Sequence, residues 1–493
     1  MIRFWQKNWL FGCLLIIFFV AYTYLTLTLH YRFNTTDADL AIYDQHVWFL
    51  SKGDFLGYGG TFKPFNIFGD HLILHFFWIA SFYKIWDSST VLIIIQNLAI
   101  VGSAIPLYLI AKESWKDLVA ILFFVASYLL FYGFQAASIF PFHGTTLSVF
   151  FISWLLFFMY KKQWKLFFLF LTLSLAAKED VATFTFFIGL YLIFIQRNLK
   201  IGIITSLLSV AWFYLSIFKI MPFFAAGRPY AYFVESQNQK LLNPVRLTAE
   251  MFFPWVKTRT LLSLFGSFGF LPLFAPFQVA LAAPFLVARF TSTTIQRWLP
   301  WMHYSTNQAP ILGFAAIFGL VNLYTVLKKF NVFQFLAVSR ANFYRCITIS
   351  TLIITIAIGL YYKMPLYKLL DTSFYKQPEG IAAIKGALTK IPKDGEISVA
   401  TQSGLLPHLS HRKKIYMYPH PAYSNPPIGE DLGDDASIEK YAIPDVDYII
   451  LSKYAFHWRP TNTRFDEVIN FVKKLPNYKI IFEKEGTLVV KKV

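Results

Sequence analysis

The chain has 493 residues, 56% of them hydrophobic and only 15% charged, with a formal net charge of +18. Soluble domains lie near 45–50% apolar and about 25% charged, so this composition, with a mean hydropathy of +0.49, excludes an ordinary soluble protein. The basic surplus does not point to nucleic acid, because no basic–aromatic module stands in a polar region and Lys and Arg flank apolar runs instead.

Arg3 and Lys7 precede the apolar run Trp9–Leu29. It is longer than a signal-peptide core and lacks a small-residue cleavage site, which predicts an uncleaved anchor with its N-terminus in the cytoplasm. Polar sequence follows, and then His71–Trp86, which is apolar but short and contains His71, His75 and Lys84. That segment is expected to lie along the membrane surface as an interfacial helix. Further spans are predicted at 91–110, 118–134, 147–160, 166–177, 181–195, 201–218, 311–327 and 346–362. Leu261–Phe290 is too long for one helix and carries Pro272, Pro276 and Pro284, so it reads as a broken pair. The total is about eleven spans. Cys13 and Cys346 both fall inside apolar runs and offer neither a disulfide framework nor a zinc spacing.

With the N-terminus inside, the short basic junctions at 112–116, 161–165, 197–200 and 328–345 fall in the cytoplasm, as the positive-inside rule expects. The loops at 30–90 and 222–260 then lie outside, together with His143, Lys178, His303 and Tyr304. Residues 1–370 thus form a membrane domain. From Asp371 the sequence becomes mixed and turn-rich. Short β-like runs at 397–401, 414–418, 448–451, 479–482 and 487–490 alternate with helical stretches at 379–388 and 464–474. Residues 371–493 are therefore expected to form a small extracytoplasmic α/β domain.

Two ionisable groups of residues interrupt this apolar chain. The first gathers Asp37, Asp39, Asp44, His46, Asp70 and His71 behind the first span. The ordinary explanation is helix capping: Thr35-Thr36-Asp37 precedes an amphipathic stretch at 38–50, with Asp39 in its first turn. A carboxylate beside a membrane cavity can also act as a general base or hold a cation. The second is Lys178-Glu179-Asp180, where snorkelling accounts for the lysine alone but not for two adjacent acids, each costly beside lipid. Lys178 suits a phosphate as a point charge, and Glu179 or Asp180 would orient it or hold a divalent cation. Arg228 is placed to reach an anion or a headgroup. Gln96 and Asn97 read as helix–helix hydrogen bonders. His408, His411 and His420 lack a convincing zinc pattern.

The runs Asp39-Leu-Ala-Ile-Tyr-Asp-Gln-His-Val-Trp48, Gly69-Asp-His71, Lys178-Glu-Asp180, His303-Tyr304 and Ser403-Gly-Leu-Leu-Pro-His-Leu-Ser-His-Arg412, with Gln96 and His143, resemble a prokaryotic family of multi-pass proteins, domain of unknown function 2079. The layout is in turn similar to the GT-C superfamily of membrane glycosyltransferases. That likeness implies a prokaryotic inner-membrane enzyme moving a sugar from a polyprenyl-phosphate donor to an acceptor on the outer face. Asp39 takes the position of the catalytic base, Tyr43 that of the aromatic residue often following it, and Lys178 that of a phosphate ligand. Where protein mannosyl and aminoarabinose transferases carry an Asp-Glu pair, Leu40 replaces the second acid.

The expectation is an inverting transferase with Asp39 and Asp44 catalytic. Asp37, Tyr43, Asp70, His71, His143, Lys178, Glu179, Asp180, Arg228, His303 and Tyr304 would line its substrate site. Membrane lipid and a polyprenyl-phosphate-linked sugar are its expected partners, and the sequence leaves sugar, acceptor and metal open. Two other readings fit the composition: a transporter or flippase of a lipid-linked or anionic solute, and a non-catalytic assembly protein.

Overall fold

The structure is a computed structural model that describes residues 6–36, 38–58, 65–230, 243–333, 338–419, 443–457 and 464–493. Asp37, His420 and most of the acidic loop at 419–435 lie outside the described residues.

The membrane region is helical throughout. Its principal helices are α1 Trp9–Tyr31, α2 Asp39–Ser51, α3 Phe76–Tyr83, α4 Thr90–Gly102, α5 Ala104–Trp115, α6 Leu118–Leu129, α7 Tyr132–Ile139, α8 Gly144–Tyr160, α9 Trp164–Leu175 and α10 Val181–Phe194. They continue as α11 Leu199–Leu215, α12 Pro244–Phe252, α13 Trp255–Gly266, α14 Ala283–Phe290, α15 Ala309–Lys329 and α16 Arg340–Tyr361. Among the described residues, six stretches can cross a bilayer by length and composition: Trp9–Tyr31, Thr90–Trp115, Leu118–Ile139, Leu199–Phe224, His303–Lys329 and Arg340–Tyr361.

Four further apolar helices, Gly144–Tyr160, Trp164–Leu175, Val181–Phe194 and Pro276–Phe290, are shorter than the roughly 20 residues a straight span needs. The expected total of about eleven spans is therefore not confirmed. The 12 residues of α9, for instance, cover only about 18 Å. The proline-rich segment breaks as anticipated, into short turns at Leu271–Phe274 and Pro276–Val279 before α14. The helix α3 has eight residues, about 12 Å, too short to span.

All five β-like runs form strands: β1 Val399–Thr401, β2 Ile415–Met417, β3 Tyr448–Ser452, β4 Tyr478–Lys484 and β5 Thr487–Lys492. They make one sheet in the order β2-β1-β3-β5-β4, parallel across β2-β1-β3 and antiparallel at β5 and β4. Strand alternation divides the core in two. Ala400, Ile449, Leu451, Leu488 and Val490 face the apolar side of α18, Phe465–Lys473, which follows α17, Ile381–Leu388. On the other face Val399, Ile450 and Val489 pack with Ile384 and Ala387 of α17, and also with Phe33, Ala38 and Ala41. One face of the sheet thus rests on the start of α2, the helix that opens with Asp39.

Two glycines permit this docking. A Cβ on Gly404 would stand 2.3 Å from the Phe33 carbonyl oxygen, which instead accepts from the Phe456 amide at 2.8 Å. Gly395 lies against the Trp48 ring, where a Cβ would be 3.2 Å away.

Candidate active site

The site is built on the first turn of α8. His143 caps that helix in extended conformation, and its backbone amide donates to Gln96 Oε1 at 3.2 Å. Gln96 is fully buried in α4 and donates from Nε2 to the Ala137 carbonyl at 3.1 Å, so it fixes the loop between α7 and α8. The His143 Nδ1–H donates to the Phe140 carbonyl at 2.9 Å, which leaves Nε2 facing Asp39 Oδ2 at 2.7 Å. Both ring nitrogens thus face oxygen atoms, Nδ1 the Phe140 carbonyl and Nε2 the Asp39 carboxylate. The imidazole is stacked on His303, with centroids 3.6 Å apart, and His303 in turn lies against the Tyr304 ring at 4.1 Å. Tyr43, buried on α2, meets the His143 ring edge-on at 6.0 Å. Asp39 itself keeps a third of its side chain exposed, while His143 is 6% exposed.

Lys178 reaches the same turn from the other side. Its ammonium donates to Thr145 Oγ1 at 3.2 Å and lies 3.6 Å from Asp180 Oδ2. His143 and Thr145 flank Gly144, so Asp39 and Lys178 bracket a single helix start. A Cβ at Gly144 would come within 2.7 Å of the Ala177 carbonyl and 2.8 Å of Ile73, which is why these segments approach so closely there. Burial opposes the charge on Lys178, yet Asp180, Glu179 and Tyr304 outweigh it and hold its pKa above the usual lysine value, against a smaller opposing effect of Arg297.

Glu179 is wholly buried and fully engaged. Its Oε1 accepts from His71 Nδ1 at 2.9 Å and from the Tyr230 hydroxyl at 2.7 Å, and its Oε2 accepts from the Leu72 amide at 3.1 Å. Burial alone would raise its pKa, but His71, Lys178 and Tyr230 together hold it well below the carboxylate range. The Leu74 amide adds a bond to the Ala176 carbonyl at 2.9 Å, so residues 71–75 run beside the Lys178 turn. Half-buried Asp70 precedes His71 in this segment. Exposed Arg228 stands two residues before Tyr230, its guanidinium 5.7 Å from the Phe65 ring centre.

As a cation site the cluster is poorly supplied. Both Glu179 oxygens are taken by donors. Asp180 Oδ1 is the buried oxygen left without a partner, and among the described residues no group of three His, Cys, Asp or Glu side chains fits a metal. These residues do not match a resident divalent cation.

The structure does not bring Asp44 here. Five positions after Asp39, it points about 140° around α2. Fully buried, it accepts from the Tyr83 hydroxyl at 2.5 Å and from the Ser410 hydroxyl, and lies 3.0 Å from His411 Nε2. His411 Nδ1 faces Asp87 at 3.0 Å, and Gln45 Nε2 donates to the Arg412 carbonyl at 2.7 Å. The 403–412 motif is thus the clamp that seats the sheet domain on α2. Burial would lower the pKa of His411, but Asp44 and Asp87 raise it above the usual value.

Other residues marked in the sequence go elsewhere. His46 packs between Phe68 and Phe76, and burial drives its pKa down to about 3, so it is a neutral core residue. His75, lowered to about 4 by burial, donates from Nε2 to the Leu173 carbonyl and accepts from Trp78 at Nδ1. His408 stacks on His30 at 4.2 Å rather than joining a metal cluster. Of the expected Thr-Thr-Asp cap, Thr36 donates to the Ile139 carbonyl and Thr35 pairs with His30, while Asp37 lies outside the described residues. Thr145, Tyr230 and Tyr83 carry no signal in the sequence, since isolated hydroxyls have no diagnostic spacing.

The fold defines a multi-pass helical membrane protein with a small C-terminal sheet. More particularly, the chain belongs to the DUF2079 family of predicted membrane proteins, which matches residues 29–489. Among solved structures it is similar to ArnT from Cupriavidus metallidurans bound to undecaprenyl phosphate, at 14% identity, covering 97% of this chain and 98% of that one with a TM-score of 0.53. The apo form of the same protein matches at 15% identity and 0.50, over 99% and 98% of the two chains. No curated protein matches the chain in sequence.

Proposed function

We propose that this protein transfers a sugar from a polyprenyl-phosphate donor to an acceptor hydroxyl at the outer face of a prokaryotic inner membrane. The observation that carries the reading is the convergence of the partly exposed Asp39 carboxylate and the Lys178 ammonium on one helix start. The ArnT structure of like fold holds undecaprenyl phosphate, which supports a lipid-phosphate donor. An apolar groove of about 420 Å³ between α3, α4 and α8, lined by Trp78, Ile95, Leu98 and Phe151, offers room for an isoprenoid chain.

In this reading Asp39 accepts the proton of the acceptor hydroxyl, whose oxygen attacks the anomeric carbon. The bond from that carbon to the phosphate oxygen breaks, and the electron pair leaves with the lipid phosphate. Lys178 and the positive end of α8 meet the departing anion. His143, stacked on His303, orients the Asp39 carboxylate, and Tyr43 and Gln96 hold His143 in place. Glu179, His71 and Asp70 form the floor behind Lys178, with Asp180 and Tyr304 beside it and Arg228 at the rim. Asp44 belongs to the domain clamp. The ionisable groups gather at helix ends rather than mid-span, which favours surface chemistry over transport.

The test is transfer from a panel of undecaprenyl-phosphate-linked sugars by the full chain in vesicles. Asp39→Asn should lower turnover at least about a hundredfold, the usual scale of a lost general base. An Asp39→Asn protein that folds and transfers at the wild-type rate contradicts the assignment.

A further inference from the structure

We infer that the groove between α1 and the C-terminal domain is a binding site for one anionic membrane phospholipid, separate from the Asp39–Lys178 cluster. The cavity holds about 750 Å³. Its floor follows α1 from Phe19 through Val20, Thr23 and Leu27 to Tyr31, and its upper wall is Tyr375, Gln377 and Ile381. Twelve helical positions cover about 18 Å, a little over half of a ~30 Å hydrocarbon core and therefore one leaflet deep.

Charge is concentrated at the domain end of this groove. Arg32 and Lys385 both line it, and no carboxylate does. Arg32 donates from Nη1 to the Phe374 carbonyl at 2.5 Å and lies 5.0 Å from the Phe374 ring centre, which fixes the guanidinium and leaves its remaining N–H groups for an anion. Lys385 is exposed and makes no ion pair among the described residues. Tyr24 stacks on Tyr375 at 6.2 Å, and both are about half exposed, so aromatic rings stand at the level where headgroup meets chain. An apolar trough one leaflet deep, ending in two cations and an aromatic pair, matches a phosphate headgroup with an attached acyl chain. A simple basic surface would offer the charges without the trough.

The experiment is native mass spectrometry of the delipidated full-length protein titrated with dioleoyl phosphatidylglycerol or dioleoyl phosphatidylcholine. One phosphatidylglycerol should be retained at concentrations where phosphatidylcholine is not. Arg32→Gln/Lys385→Gln should weaken that retention roughly ten- to thirtyfold, the scale of two basic groups at an anionic lipid surface. Lys385→Gln alone, at an exposed unpaired position that cannot endanger folding, should weaken it about fivefold. Thr23→Trp should abolish it by filling the trough with both cations intact. Equal retention of the two lipids, displacement by inorganic phosphate, or an equal loss in Lys376→Gln outside the groove would each overturn the site. Sugar transfer is not read in this experiment, so its outcome is independent of the proposed reaction.

Discussion

At Glu179, three donors converge on one buried carboxylate from two separate segments: His71 and Leu72 from one, Tyr230 from the other. A fully buried anion is tolerated only when its partners replace lost water, and removing one member of such a group is costly. Glu179→Ala should therefore destabilise the protein by roughly 3–5 kcal/mol, read as a shift in the thermal or denaturant midpoint. A neutral effect would mean that the charge contributes no net stability. The neighbouring Asp39–His143 pair makes a different prediction. His143→Gln keeps a polar group but removes the stacked imidazole that orients Asp39, so transfer should fall about ten- to a hundredfold with little change in the melting temperature.

At the scale of elements, α8 and α2 carry the arrangement. Gly144→Ala puts a methyl against the Ala177 carbonyl and Ile73, where only backbone and a packed side chain can yield. The Lys178 turn should move away from α8, with transfer lowered more than about tenfold and overall stability lowered by about 1–3 kcal/mol. On the opposite side of α2, the imidazole of His411 bridges Asp44 and Asp87. Its pKa is raised in the folded state, so its stabilisation is complete below pH 6.5 and is lost as pH rises through the higher folded value. Hydrogen exchange in α2 and in residues 403–412 should accelerate as pH rises through that value, beyond the intrinsic pH dependence of exchange. His411→Gln should remove this pH dependence.

At the scale of the molecule, α1 is about 34 Å long and ends where Arg32 grips Phe374, so the start of α1 at Trp9 and the sheet domain lie at opposite ends of one membrane-length helix. A membrane-impermeant thiol reagent should label Lys376→Cys in intact cells, in a chain whose Cys13 and Cys346 are replaced, and should not reach a cysteine introduced in place of Lys7. Much of this architecture was legible in the chain. The strands are legible because alternating Val, Ile and Tyr run between turns; Asp39 and Lys178 stand out because ionisable groups are rare beside lipid, whereas His143 and His303 are marked only by the family resemblance. Span number was less legible, since α8, α9 and α10 are apolar all round yet too short to cross straight. Asp44 was indistinguishable from Asp39 by composition. The structure separates them only by helical rotation and by Ser410 and His411, which arrive from about 370 positions away in sequence.

The central claim is that Asp39 and Lys178 serve one lipid-phosphate site, and the most direct measurement is equilibrium binding of undecaprenyl phosphate to the wild-type protein, Lys178→Gln and Asp39→Asn. The account predicts at least about tenfold weaker binding for Lys178→Gln, the loss of a charge-assisted contact. It also predicts binding as tight as wild type, or tighter, for Asp39→Asn, because a neighbouring negative charge is gone. Wild-type affinity in the Lys178→Gln protein would contradict it.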